Sequence, residues 1–133
     1  DELLYGIGPI RDLELADVDP ELAEDGAEIF ATKCSACHKI DERYVGPPLR
    51  GVAERRTPEF VMNMILNPDS MIARHPATKA LLAQYYTPMP DQQLTEEDAR
   101  AVLEYLRAPD TVESIEVEAE EADDETDGDD GDN

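Results

Sequence analysis

The sequence predicts an all-α fold with one modest hydrophobic core. Apolar residues recur at helical spacing between turns that prolines mark, and no strand-like alternation of apolar and polar residues surrounds the two cysteines. The chain has 133 residues, 41% of them hydrophobic, which allows one small domain with additional segments. Because no apolar run approaches the roughly 20 residues of a membrane span, we expect no transmembrane segment.

The first predicted helix begins at Asp19-Pro20, where an aspartate N-cap precedes a proline at the first helical position. Along one face of this helix, every fourth position forms a series: Leu22, Gly26, Phe30 and Cys34. This periodicity predicts a helix whose inner face leads directly to the cysteines.

The last predicted helix begins after Thr95, a capping residue that is followed by three acidic residues in the first turn. Those acids, and Arg107 near the other end, have the charge signs that a helix dipole favours. Its apolar stripe consists of Ala101, Val102, Tyr105 and Leu106. Because Gly26 has no side chain, we expect this helix to cross the first one closely there, with Phe30 and Tyr105 packed nearby.

Two further helices are predicted between these. One runs from Thr57-Pro58 to Asn67-Pro68, and the other from His75-Pro76 to a point before Thr87-Pro88. The inner face of the first consists of Phe60, Val61, Met64 and Ile65. The inner face of the second consists of Ala77, Ala80, Leu81 and Tyr85.

Charge divides the chain unevenly. Its net charge is −22, and residues 110–133 contain 13 acidic residues and no basic ones. We expect an N-terminal extension of residues 1–18 lying irregularly over the surface, a domain of residues 19–108, and an acidic tail of residues 109–133. The tail repels itself and has little to bury, so it should stay disordered at neutral pH. Nucleic acid and anionic membrane surfaces are poor partners for so acidic a chain.

Cys34-Ser35-Ala36-Cys37-His38 is the most informative stretch of the sequence. Two thiols at this spacing, followed at once by an imidazole, are typical of a c-type haem attachment site. Each thiol can form a thioether with one vinyl group of the haem, and His38 is then placed to be the proximal ligand of the iron. The motif therefore predicts one covalently bound haem c, attached through Cys34 and Cys37.

A Cys-x-x-Cys pair also occurs in structural zinc sites and in redox-active dithiols. Zinc needs four ligands, whereas the chain has only two cysteines and two histidines, and His75 lies far from the motif. A thioredoxin-like dithiol belongs in a βαβ unit, and no strand pattern accompanies this pair. Haem is therefore the favoured interpretation.

Several residues and short motifs occur along the chain in the same order as in a known protein family. They are Gly26 and Phe30, the Cys34 to His38 motif, Gly46-Pro47-Pro48-Leu49, Met89-Pro90, and Val102, Tyr105 and Leu106. With them, residues 20–108 resemble a class I cytochrome c. The resemblance implies N- and C-terminal helices that cross around one haem, and a hydrogen bond from the proximal imidazole to the carbonyl of Pro47. Such a bond orients the ring and raises its donor strength. From the residues alone, Gly46-Pro47-Pro48 is simply a tight turn.

The resemblance also implies a methionine as the second axial ligand. The chain has four candidates: Met62, Met64, Met71 and Met89. Met89 is favoured because Pro88 and Pro90 stiffen the segment that holds it. Met62 and Met64 lie within a predicted helix, where a methionine more often fills the protein core than binds iron. Met71 lies in a predicted loop and stays an alternative ligand. His75 is the remaining rival, or else an exposed residue at the start of a helix.

The chain departs from the compact family pattern in its middle and at its ends. Residues 50–86 contain the extra helices before the ligand methionine and resemble bacterial relatives with added structure there. For the haem propionates, the nearest basic residues are Arg50, Arg55 and Arg56. The alternative is that these arginines only face solvent.

An iron with both axial sites filled by protein can change oxidation state without binding a substrate, so an electron carrier is favoured over an enzyme. The resemblance implies a mono-haem carrier between a membrane quinol-oxidising complex and a terminal oxidase or reductase. We expect a monomer, in the periplasm or on the external face of the cytoplasmic membrane. The alternative is a haem sensor or peroxidase-like enzyme with a labile sixth ligand.

Overall fold

The described part of the chain is built from helices, as predicted. In a computed structural model, which describes residues 1–110, all regular structure of that part is helical. The elements in chain order are α1 (Glu2–Tyr5), α2 (Pro20–Ile29), a π-helical turn (Phe30–Cys34), α3 (Val52–Arg55), α4 (Pro58–Leu66), α5 (Pro68–Arg74), α6 (Pro76–Tyr85) and α7 (Glu96–Arg107). The short helices α1, α3 and α5 add to the four that the sequence predicts. No helix of residues 1–110 has the length and apolar character needed to cross a membrane.

The starts of the predicted helices agree with their capping residues. The Asp19 carboxylate accepts two backbone hydrogen bonds from the first turn of α2. The Thr57 hydroxyl accepts one from the first turn of α4, and Thr95 forms a reciprocal capping box with Asp98 at the start of α7. These bonds satisfy N–H groups that the helices leave unpaired, which confirms the predicted starts.

The crossing of α2 over α7 forms the centre of the core. A methyl group built on Gly26 would lie 1.9 Å from the carbonyl oxygen of Ala101, so only glycine permits this approach. Phe30 and Tyr105 pack beside it, with ring centroids 5.3 Å apart. The whole predicted stripe of α7 is buried: Ala101, Val102, Tyr105 and Leu106. The predicted close crossing is therefore confirmed.

A charged side chain, Glu104, is buried at the same interface. Its carboxylate accepts hydrogen bonds from Asp19 N at 2.7 Å and from Arg107 at 2.9 Å. Arg100 donates a further one. Burial raises the pKa of Glu104, but these hydrogen bonds outweigh burial and leave the pKa below its ordinary value. The carboxylate therefore stays ionised and ties the start of α2 to α7.

The N-terminal extension is fastened to the domain, which differs from the prediction of an irregular surface segment. Ile7 is buried, and its N–H donates to the thioether sulfur of Met71 at 3.1 Å. The Asn63 side chain donates to the carbonyl of Tyr5 at 2.9 Å and accepts from Ile10 N at 3.0 Å. The extension contributes mainly backbone groups to these contacts, so its side-chain pattern does not reveal them.

The expectations of a loop at Met71 and of an exposed His75 are both wrong, and the extension contacts both residues. Met71 lies in α5, not in a loop, and is fully buried. His75 caps α6 as an N-cap residue should, but it is only 3% exposed. Its Nε2 donates to the carbonyl of Leu3 at 3.0 Å, while its Nδ1 accepts from Ala77 N at 3.1 Å.

Only the first two residues of the predicted acidic tail belong to the described part. Pro109 is buried, and the Asp110 carboxylate accepts two hydrogen bonds of 2.8 Å from Arg50. The expected disorder of the tail falls on residues 111–133, which lie outside the described residues.

We expect Gly26→Ala to lower the free energy of unfolding by about 2 kcal/mol, because the added methyl group collides with the backbone of α7. The gain in helix propensity, about 1 kcal/mol, is too small to compensate. Urea unfolding followed by circular dichroism measures the change. Glu24→Ala, an exposed substitution on the same helix, is the control. Equal stability of the two variants would contradict the close crossing.

Candidate functional site

A single tight turn places both cysteines and His38 together. Beyond the π-helical turn, the N–H groups of Cys37 and His38 both donate to the carbonyl of Cys34, at 3.1 and 2.9 Å. Ser35 N donates back to the carbonyl of Phe30 at 2.8 Å. This turn continues directly from α2, whose position α7 determines. The two thiols and the imidazole consequently line the same cavity.

His38 is oriented by the backbone that follows the motif. Its Nδ1 donates to the carbonyl of Pro47 at 3.1 Å, which leaves Nε2 free to bind a metal when the ring is neutral. Burial lowers the pKa of His38 and outweighs the opposing effect of the Pro47 bond, so the neutral ring is favoured. A methyl group on Gly46 would lie 2.7 Å from Cε1 of His38, so glycine leaves the room that this ring needs.

The cavity has a volume of about 480 Å³ and mainly apolar walls. Cys34, Cys37, His38, Pro47 and Met89 all line it. The inner faces predicted for α4 and α6 form further walls: Phe60, Val61, Met64 and Ile65, with Ala77, Ala80, Leu81 and Tyr85. Two thiols, an oriented imidazole and a thioether in one apolar cavity are a donor set that fits a covalently held haem.

The structure separates the four methionines into two pairs. Met62 is 2% exposed in the core, and Met71 is fully buried with its sulfur accepting the hydrogen bond from Ile7. Met64 and Met89 are half-buried and line the cavity. Met64 was expected to pack in the protein core. Its place one turn after Phe60, which also lines the cavity, is the signal that indicates a wall position.

Only two of the three arginines predicted near the propionates line the cavity, although the Arg55 guanidinium donates to the carbonyl of Arg50. Arg55 and Arg56 line the cavity, whereas Arg50 is not among its lining residues. The Arg50 guanidinium instead donates to the carboxylates of Asp41 and Asp110. His75 does not line the cavity either.

The other uses of the cysteine pair fit the structure poorly. Burial raises the pKa of Cys34 to about 11, and the neighbouring Cys37 adds to the rise. A redox-active dithiol needs the opposite shift, because the thiolate is the reactive form. Among residues 1–110, no three Cys, His, Asp or Glu side chains gather into a metal site. A zinc site therefore lacks ligands in this part.

A comparison with protein families decides among these interpretations. The family model described as Cytochrome c matches residues 23–109, a span that contains the cysteine motif, Pro47 and Met89. This chain belongs to the cytochrome c family. It is therefore a class I cytochrome whose family role is mono-haem electron transfer with haem c.

Known cytochromes agree with this assignment. The cytochrome is 31% identical over 90 residues to cytochrome c-551 of Stutzerimonas stutzeri, an alignment that covers 67% of this chain and 81% of that relative. Its structure matches cytochrome c from Rhodothermus marinus with a TM-score of 0.76 and 50% identity, over 80% of this chain and 92% of the other. An engineered cytochrome c from Rhodothermus marinus bound to a carbene intermediate matches with a TM-score of 0.73 and 48% identity, over 80% and 93%. These matches confirm the predicted all-α fold.

We expect Gly46→Ala to destabilise the haem-loaded cytochrome by about 2 kcal/mol, because the new methyl group must displace the His38 ring or the backbone that orients it. Thermal unfolding measures the loss, and NMR of the His38 ring protons reports the displacement. Glu42→Ala, at an exposed residue four positions earlier that does not line the cavity, is the control. If both variants lost the same stability and left the ring signals in place, the contact would have no role in orienting His38.

Proposed function

We propose that this cytochrome transfers single electrons between respiratory complexes through one haem c, with His38 and Met89 as axial ligands. The observation that carries the proposal is the convergence of both cysteines, His38 and Met89 on one apolar cavity. When bound, the haem supplies an iron that changes between the ferrous and ferric states. The protein has to hold this group, set its electronic properties and keep other ligands away.

Each group of the site would carry out one of these tasks. The sulfurs of Cys34 and Cys37 would hold the cofactor by thioether bonds, and Nε2 of His38 would bind the iron. The Pro47 carbonyl keeps the ring in one orientation and strengthens it as a donor. The Met89 thioether would fill the other axial position and favour the ferrous state. Apolar walls disfavour the extra charge of the ferric state, so we expect a fairly positive reduction potential.

The haem propionates are assigned to Arg55 and Arg56. Both side chains are exposed at the cavity, and neither takes part in a salt bridge between described residues. Ion pairing there would partly neutralise two carboxylates beside an apolar group. Arg50 is the weakest of the three candidates, because pairing with a propionate would require it to leave Asp41 or Asp110.

The donor and acceptor of electrons are inferred from the family's role and from charge. A membrane quinol-oxidising complex would reduce the cytochrome, and a terminal oxidase or reductase would oxidise it, in the periplasm or on the external face of the cytoplasmic membrane. The net charge of −22 favours a basic partner surface at long range. Close to the cavity the charge is different, because Lys33, Arg55 and Arg56 line it. The sequence analysis does not identify Lys33 as a residue of the site, and its position next to Cys34 is the one signal that points to it.

The sensor or peroxidase-like alternative requires an open iron position with a polar group beside it. His75 is the one group that the sequence suggests for this task. Both of its ring nitrogens are hydrogen-bonded to backbone groups, and the residue lies outside the cavity lining. The carrier is therefore the better supported function.

The ligand assignment is tested by visible spectroscopy of the haem-loaded protein. We expect a sulfur-to-iron charge-transfer band in the ferric form, slow binding of carbon monoxide to the ferrous form, and one reversible one-electron wave in a potentiometric titration. Each result follows from a filled sixth position with a thioether. Rapid carbon monoxide binding at neutral pH, together with absence of the band, would instead favour the sensor or peroxidase-like enzyme.

The face through which electrons leave is tested with charged small-molecule oxidants. Lys33→Glu and Lys79→Glu change the net charge equally, and both lysines are exposed, but only Lys33 lines the cavity. We expect Lys33→Glu to slow oxidation of the ferrous protein by anionic ferricyanide several-fold more than Lys79→Glu does, since local charge acts over about one Debye length. Added salt should reduce this difference. Equal effects of the two substitutions would place electron exit away from the cavity.

A further inference from the structure

Two of the four methionines are buried, and the other two, Met64 and Met89, are half-buried; Met64 also packs against the cluster of Ile7, Phe60 and Met71. Met62 packs in the core cluster beside Val61 and Ile65, and the Met71 sulfur accepts the N–H of Ile7. Met64 and Met89 both line the cavity that contains His38. The cavity is therefore lined by two thioethers, although one axial position remains after His38 is assigned.

Met64 stands on a firmly held element. Its neighbour Asn63 is fully buried and hydrogen-bonded to the backbone of Tyr5 and Ile10, at 2.9 and 3.0 Å. Thr57 caps the same helix, α4, and donates to the carbonyl of Leu4 at 2.8 Å. These bonds fix the backbone of α4, while the flexible methionine side chain lets its sulfur adapt its position.

Met89 stands on a segment that is held much less firmly. Residues 87–93 form no hydrogen bond to any other part of the described chain; their bonds are local, from Gln93 N to Asp91 at 2.8 Å and from Gln92 to Pro90 at 3.4 Å. Thr87, Pro88 and Pro90 are exposed. A segment with few buried contacts and few hydrogen bonds opens at a low free-energy cost. In the assigned site, iron ligation by Met89 would be its main tie to the domain.

We propose that Met64 is a reserve axial ligand, whose thioether binds the iron when the Met89 segment opens. This rests on the proposed His38 and Met89 ligation. In the exchange the bond from the iron to the Met89 sulfur would break and one to the Met64 sulfur would form, with no transfer of electrons or protons. Because thioether replaces thioether, the preference for the ferrous state is kept, and the sixth position stays closed to external ligands. The cytochrome would thus remain a carrier while the Met89 segment is open.

The test compares variants of the full haem-loaded chain. Met89→Ala should keep a sulfur-to-iron charge-transfer band in the ferric form, and the double variant Met89→Ala with Met64→Leu should lose it. Leucine closely matches the side-chain volume and removes the sulfur. The matched control is Met89→Ala with Met62→Leu, the same exchange two residues away on α4, which should keep the band. Loss of the band in Met89→Ala itself, with a properly attached haem, would overturn the proposal.

A second measurement does not depend on Met89→Ala being stable. In Met64→Leu alone, we expect carbon monoxide to bind the ferrous protein several-fold faster than in the wild type, because a reserve ligand in the opened site reduces the fraction of protein that carbon monoxide can bind. An unchanged rate would overturn the reserve role and leave His38 and Met89 ligation standing. If Met64→Leu alone removed the charge-transfer band, Met64 would be the resting ligand, and both the reserve role and the assignment of Met89 would be wrong.

Discussion

The backbone contact between Gly26 and Ala101 is the constraint on which the rest of the structure depends. It lets α2 cross α7 at a distance that any side chain would prevent. Since the turn that contains the cysteine motif continues from α2, this crossing also sets where the two cysteines and His38 lie. The buried carboxylate of Glu104 closes the same interface at its other end by binding the start of α2. Packing and the position of the site are thus consequences of one close approach.

The part of the cavity wall that α4 and α6 form depends on the N-terminal extension. Phe60 lines the cavity, and the buried His75 packs edge-on against it with ring centroids 5.0 Å apart. His75 in turn donates to the backbone of Leu3, while Asn63 on the same helix as Phe60 binds the extension at Tyr5 and Ile10. The extension therefore supports α4 and α6 from outside. Because these helices supply much of the apolar wall, a segment distant from the cysteines in sequence contributes to the environment of the iron.

The two sides of the assigned iron site differ in how they are held. On one side, His38 belongs to a hydrogen-bonded turn and is oriented by Pro47. Met89, assigned to the other axial position, lies in a segment whose hydrogen bonds are only local, and Met64 on the well-anchored helix α4 lines the same cavity. Electron transfer needs a coordination sphere that changes little between oxidation states. A rigid imidazole, in a cavity that two thioethers also line, is an arrangement that serves this need.

The sequence by itself determined the cofactor and most of the helices, because these follow from chemistry within a few residues. The cysteine motif with its histidine indicates haem attachment, and capping residues followed by proline predict the starts of α2, α4 and α6, as Thr95 and its acids predict that of α7. The helices α1, α3 and α5 are too short for periodicity to reveal them. Only the tertiary structure decided which distant residues meet: that His75 and Met71 are buried under the extension, that Met64 joins Met89 in the cavity, and that Arg50 is bound elsewhere while Arg55 and Arg56 line it. These outcomes depend on backbone groups and long-range packing, which leave no local pattern in the chain.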